Sequence, residues 1–184
     1  MAGWKHKRRV MRRYDLTADM YEERYAEEQQ TKYRAALENV NMGGGVVLDV
    51  GCGTGLFFSQ VASQVSMVVG ADTSRKLLLK AKDKAKKLSK VFVLQADADR
   101  LPFREGVFDA IFAFTVLQNM PEPSETLREL ERVAKPSGNV VVTGLKKAFP
   151  LDTFMDVLEG TSLRVASFVD VEDLKCYLAV LSGQ

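Results

Sequence analysis

One stretch of the chain, Asp49-Val50-Gly51-Cys52-Gly53-Thr54-Gly55, has the residue types and spacing of a ligand-binding loop. An apolar run, Val46-Val47-Leu48, leads straight into it, and a helical pattern follows. Glycines permit positive φ and let a ligand press against bare backbone. The free N–H groups at the start of the next helix add donors. A dinucleotide loop is spaced G-x-G-x-x-G and takes a pyrophosphate. Here the spacing is G-x-G-x-G, with Asp49 two residues before the first glycine. A carboxylate there is poorly placed beside a pyrophosphate and well placed beside a cationic ligand. Two further acids, Asp72 and Asp97, each close an apolar run. Asp72 lies about 20 residues beyond the loop, the usual distance for an acid that takes the hydroxyls of a ribose.

The elements that must hold these residues alternate. Short strands are expected at 46–50, 66–71, 91–96, 108–114 and 139–145, with helices at 56–63, 74–90, 125–134 and 152–159. Leu77, Leu78, Ala81, Ala85 and Leu88 form the buried side of the second helix, with lysines elsewhere. Pro136 and Gly138 read as the stop after the third. Two late strands, 163–169 and 174–181, with a polar link between them, read as a hairpin. Near-continuous apolar strands alternating with helices predict a parallel sheet covered on both faces, and the hairpin makes one strand antiparallel. Ligands bind such sheets at the carboxyl ends of the strands. Before the first strand, residues 14–42 read as a helical segment, broken once and capped by Thr17. Residues 1–13 read as a basic arm, disordered or loosely docked. The expectation is one domain: the arm, the helical segment, and a ligand-binding unit over 46–184.

The glycine loop with Asp49, then Val68-Val69-Gly70-Ala71-Asp72-Thr73-Ser74, Gln95-Ala96-Asp97-Ala98, Leu101-Pro102-Phe103, Phe108-Asp109-Ala110-Ile111 and Lys135-Pro136-Ser137-Gly138 together resemble the class I S-adenosylmethionine (SAM) methyltransferases. The resemblance covers nearly the whole chain. It leans toward the branch that includes ubiquinone and menaquinone biosynthesis enzymes, and more loosely toward activator-dependent archaeal tRNA and translation-factor methyltransferases. It implies a Rossmann-like seven-stranded α/β sheet ordered 3-2-1-4-5-7-6, closed by an antiparallel strand. It also implies SAM as cofactor, with S-adenosylhomocysteine as product. The cofactor residues carried over are Asp49, Gly51, Cys52, Gly53, Gly55, Asp72, Thr73, Asp97, Ala98, Phe114 and Thr115. Asp72 is expected on the ribose, and Asp97 with Ala98 on the adenine. A nicotinamide oxidoreductase is disfavoured by the loop spacing and by Asp49. A SAM-binding subunit without activity of its own stays open.

No catalytic residue is assigned. The end of the fourth strand reads Phe114-Thr115-Val116-Leu117-Gln118-Asn119-Met120-Pro121, where the acceptor meets the methyl group in this fold. It lacks Asn-Pro-Pro-Tyr, a pattern of enzymes that methylate planar amino groups, and it lacks Pro-Cys. Gln118 and Asn119 are candidates to orient an acceptor, and Tyr14, Tyr21 and Tyr25 to close over the site. His6, the single histidine, sits in the arm, so a histidine base is not expected. Cys52 reads as packing and Asp109 as structural. Two cysteines suit neither a metal site nor a disulfide framework, and fit a cytoplasmic chain.

Charge is uneven although the net value is only +2. Lys5, Lys7, Arg8, Arg9, Arg12 and Arg13 form an acid-free block that could meet RNA. Residues 15–28 are acid-rich. Lys76, Lys80, Lys82, Lys84, Lys86, Lys87 and Lys90 form a second basic block. The third strand, Val91-Phe92-Val93-Leu94-Gln95-Ala96, falls at a sheet edge in the implied order and carries no charge. Such an edge is a template for a small activator protein or a second copy of the chain. No apolar run is long enough to insert across a membrane.

Overall fold

The structure, a computed structural model, describes residues 2–183. It begins with helices α1 (Ala2–Thr17) and α2 (Tyr21–Glu38), joined by a 3-10 turn at Ala18–Met20. The expected loose arm is therefore wrong: residues 2–17 form a docked helix. Thr17 is not an N-cap, because it ends α1 and its hydroxyl donates back to the Arg13 carbonyl at 3.0 Å.

The sheet strands are β1 (Val46–Val50), β2 (Met67–Asp72), β3 (Val91–Gln95), β4 (Phe108–Ala113), β5 (Ala134–Leu145), β6 (Arg164–Val169) and β7 (Cys176–Ser182). They lie in the order β3-β2-β1-β4-β5-β7-β6, as expected. Only β7 runs antiparallel to its neighbours. The intervening helices are α3 (Phe58–Val61), α4 (Arg75–Ala85), α5 (Pro123–Val133) and α6 (Leu151–Glu159). α3 is a single turn, shorter than expected, because turns occupy 54–57. Ser74 caps α4 by accepting from Leu77 N at 3.2 Å. Pro136 and Gly138 do not precede β5 but lie within its first half. A register shift against β4 there absorbs the proline that a regular ladder would reject.

Two cores form, one on each face of the sheet. α5 and α6 cover one face through Leu127, Leu130, Val133 and Phe154. α2, α3 and α4 cover the other through Tyr33, Ala36, Phe58, Leu78 and Ala81. Gln29, Lys32, Tyr33 and Ala36 share the buried face of α2, the spacing that one helical stripe requires. Tyr33 fixes that helix against the site, with ring centroids 4.9 Å from both Phe57 and Phe114.

The acidic segment and the second lysine block meet. Lys80 pairs with Asp19 at 2.9 Å, and Lys84 pairs with Glu22. Lys84 also donates to the Thr54 carbonyl at 3.0 Å, so α4 and α2 are both tied to the glycine loop.

Candidate functional site

The carboxyl ends of β1, β2 and β4 open into a cleft of about 720 Å³, its open mouth included. Gly51 and Gly53 form one wall, Asp72 and Thr73 a second, Asp97 and Ala98 a third, and Phe114 and Thr115 a fourth. A smaller chamber adjoins it through Gly51 and Phe114, lined also by Asp49, Cys52, Gln29, Tyr33 and Leu56. Ten of the eleven expected residues thus converge on the two spaces. Gly55 lines neither, and its φ of +75° supports the turn instead.

The loop is built so that backbone faces the cleft. The N–H groups of Gly51 and Cys52 both donate to the Ala71 carbonyl, at 2.7 and 3.1 Å, which stitches the loop to the end of β2. Gly51 has φ +68°, and a Cβ there would sit 2.6 Å from the Val116 side chain. A side chain at this position is therefore excluded twice, by conformation and by space.

The acids differ in their surroundings. Asp72 accepts from Gly53 N at 2.9 Å and Ser74 N at 2.7 Å. Burial raises its pKa; the backbone donors pull it down in part, and nearby Asp15 adds to the rise. Asp49 is 3% exposed, and burial, then the charge of Asp72, raise its pKa well above the usual carboxylate range. Both acids are thus poised for a cation or a strong donor. Cys52 is buried with its thiol pKa pushed up by burial, which suits packing rather than nucleophilic attack. Asp109 lies away from the cleft, where it accepts from Val46 N and Lys135 Nζ, each at 2.8 Å. The Lys135 bond lowers its pKa, as a structural acid requires.

α1 lies across the cleft and adds Lys7, Val10 and Tyr14 to its lining. Lys7 Nζ is 2.7 Å from both oxygens of Asp97 and also pairs with Asp99. Asn119 anchors the same helix. Its Nδ2 donates to Tyr14 Oη at 3.3 Å, and its Oδ1 accepts from Arg13 at 2.9 Å. His6, set aside in the sequence, donates from Nε2 to the Asn119 carbonyl at 3.1 Å. Arg9 donates to its Nδ1 at 3.3 Å, which fixes the tautomer. Of the three tyrosines proposed to close over the site, Tyr14 does line it and Tyr25 does not. The Tyr21 side chain lies outside the described residues. Gln118 does not line the cleft, whereas Asn119 does. Sequence reasoning missed Lys7, Val10, Gln29 and Tyr33. Only the helical spacing of Gln29 and Tyr33 beside apolar neighbours hinted at a buried stripe.

Comparison with known proteins finds methyltransferases in both sequence and fold. Residues 48–142 match the family described as a methyltransferase domain. The ubiquinone/menaquinone biosynthesis C-methyltransferase UbiE of Haemophilus ducreyi is 33% identical over 139 residues, covering 71% of this chain and 54% of its own. A SAM-dependent methyltransferase from Aquifex aeolicus superposes with TM-score 0.72 at 25% identity, covering 81% and 88% of the two chains. A methyltransferase from Haloferax volcanii, solved in complex with the activator Trm112, superposes with TM-score 0.74 at 17% identity, covering 92% and 97%. The chain spans between about two fifths and two thirds of the length of the curated relatives it matches.

Proposed function

This chain belongs to the methyltransferase-domain family, and from that premise we propose that it transfers a methyl group from SAM to an acceptor. The observation that carries this reading is the convergence of Asp72 and Asp97 on one glycine-walled cleft, with Asp49 in the chamber that adjoins it through Gly51. The residues present fit the cofactor. Asp72 would hold the ribose hydroxyls, Asp97 with the Ala98 backbone the adenine, Gly51 and Gly53 would meet the nucleoside through backbone, and Asp49 would face the amino-acid end. When bound, the cofactor supplies an electrophilic methyl carbon on a sulfonium. The chain's part is to align the acceptor and exclude water. Phe114 and Thr115 close the end of β4, and Tyr14 and Val10 of α1 cover the mouth. The test is transfer of labelled methyl from SAM into fractionated cell extract, sorted into RNA, protein and small molecules. Label in none of them, with active control enzyme present, contradicts the reading.

An RNA acceptor is favoured within this reading by α1. Lys5, Arg8, Arg9 and Arg12 are exposed on its outer side and form no carboxylate pair among the described residues. The α4 lysines are partly neutralised by Asp19, Glu22 and Asp83. A small activator protein, or a second copy of the chain, is proposed at β3. That strand is a sheet edge, and Phe92 on it is 57% exposed. The Haloferax volcanii protein named above is bound to an activator, which makes this kind of partner a natural one to test. A cytoplasmic location belongs to the same reading and is supported by two buried, unbridged cysteines. Among the described residues no helix is long and apolar enough to cross a membrane.

A further inference from the structure

The smaller chamber behind the glycine loop has a chemical bias that the loop alone does not supply. Its ceiling is α2, through Gln29 and Tyr33, and its floor is Asp49, Gly51 and Cys52. Gln29 is 5% exposed, and its Oε1 is fully buried without a hydrogen-bond partner. A buried acceptor left unpaired is costly and uncommon in folded proteins. Across the chamber from it, the Asp49 carboxyl is 3% exposed and is also an acceptor when ionised. Asp72, on the cleft side, adds a second negative charge that bears on Asp49. The nearest buried cation on α2, Lys32, is already engaged by Glu28 at 2.7 Å and by the Thr115 hydroxyl at 3.2 Å. The chamber therefore offers acceptors from both helix and strand, and a group that fills it has to bring donors, best with positive charge.

We infer that Gln29 is a specificity residue that reads the ammonium of the ligand's amino-acid tail, opposite Asp49. This rests on the SAM reading of the cleft and deepens it. A neutral amide supplies a second acceptor without placing a further carboxylate beside Asp49, whose pKa is already raised by burial and then by the charge of Asp72. The tail is gripped from outside the glycine loop, by the helix that Tyr33 pins against Phe57 and Phe114. Two ligands with the same nucleoside but different tails will separate this role. S-adenosylhomocysteine carries the ammonium, and 5′-methylthioadenosine lacks the whole amino-acid end.

The experiment is calorimetric titration of the full chain, wild type, Gln29→Met and Gln29→Glu, with each of these two ligands. Met keeps length and burial but removes the acceptor, and Glu keeps an acceptor oxygen. The expected result is a loss of about 10-fold or more in S-adenosylhomocysteine affinity for Gln29→Met. Methylthioadenosine affinity should change by less than about 2-fold, and Gln29→Glu, which keeps an acceptor oxygen at the cost of a further carboxylate, should lose less S-adenosylhomocysteine affinity than Gln29→Met. Thermal melting without ligand keeps a folding defect visible. If Gln29→Met loses both ligands equally, or neither, the assignment of Gln29 is wrong while the cofactor reading stands. If the wild type binds neither nucleoside, the cofactor reading fails and this inference falls with it.

Discussion

The Lys7 ammonium lies 2.7 Å from both carboxylate oxygens of Asp97, across 90 residues of sequence. It thereby fastens a basic helix over the end of β3, at the acid expected to meet the adenine. The pair is mostly shielded, with side chains 13% and 23% exposed, so it is worth more than an open surface contact. Losing Lys7 also leaves Asp97 and Asp99 facing each other uncompensated.

Lys7→Met should therefore loosen α1 selectively. Amide hydrogen exchange in residues 5–15 should accelerate by about 10-fold, corresponding to roughly 1–2 kcal/mol for a partly buried pair. Exchange in β1, β4 and β5 should not change. If α1 keeps its protection, Asn119 and the apolar contacts hold the helix and the Lys7 pair is incidental.

Asp72→Ala should weaken SAM binding by about 1.5–3 kcal/mol, the scale of a hydrogen bond to a charged group. The variant also removes the acceptor for Gly53 N and Ser74 N. A melting curve is needed beside the titration. Unchanged affinity in a folded variant would remove Asp72 from the site.

The buried acids give ligand-free stability a pH dependence of definite sign. Asp49 and Asp72 have folded pKa values raised above the ordinary 3.8, chiefly by burial. Such groups favour the fold at low pH, and that contribution is lost as pH rises through their folded values. Asp19, Glu22, Glu28, Asp83, Asp109 and Glu129, whose pKa values are lowered, act oppositely, but only near and below the ordinary 3.8 and 4.5. Above that range the raised pair dominates among the shifted carboxylates. Urea unfolding should show lower stability at neutral than at mildly acidic pH, and saturating SAM should flatten the slope. A slope that SAM leaves untouched would argue that neither acid meets the ligand.

The β3 edge is tested at Phe92. Val93 packs partly against the face covered by α4, so a charge there would disturb the core rather than the edge. Phe92→Lys should abolish any activator complex or self-association seen by analytical ultracentrifugation, without lowering the melting temperature. A wild type that is monomeric and fully active alone would exclude an obligatory activator.

Much of the site was readable because the acids close apolar strands. A strand end followed by Asp is visible in one sequence, and β1, β2 and β3 each bring their acid to the same end of the sheet. The strand order followed from the resemblance and the late hairpin. α1 was not readable. Its cleft-lining residues, Lys7, Val10 and Tyr14, are sparse among cations, and the partners of Lys7 and Tyr14, Asp97 and Asn119, lie far along the chain, so a solvated arm fits the same letters. Gln29 was hidden for a related reason: a glutamine on a polar helix announces burial only when the helix's packing partner is known. The bulge that lets Pro136 sit inside β5 depends on its register with Phe108, which no local pattern encodes.

The central claim is that the acid-rimmed cleft holds SAM, and direct titration of the wild-type chain tests it most closely. SAM and S-adenosylhomocysteine should each bind at one site, with affinity on the order of micromolar, while NAD gives no heat of binding under the same conditions. Binding of NAD in preference to SAM, or no binding of SAM to the folded protein, would contradict the account.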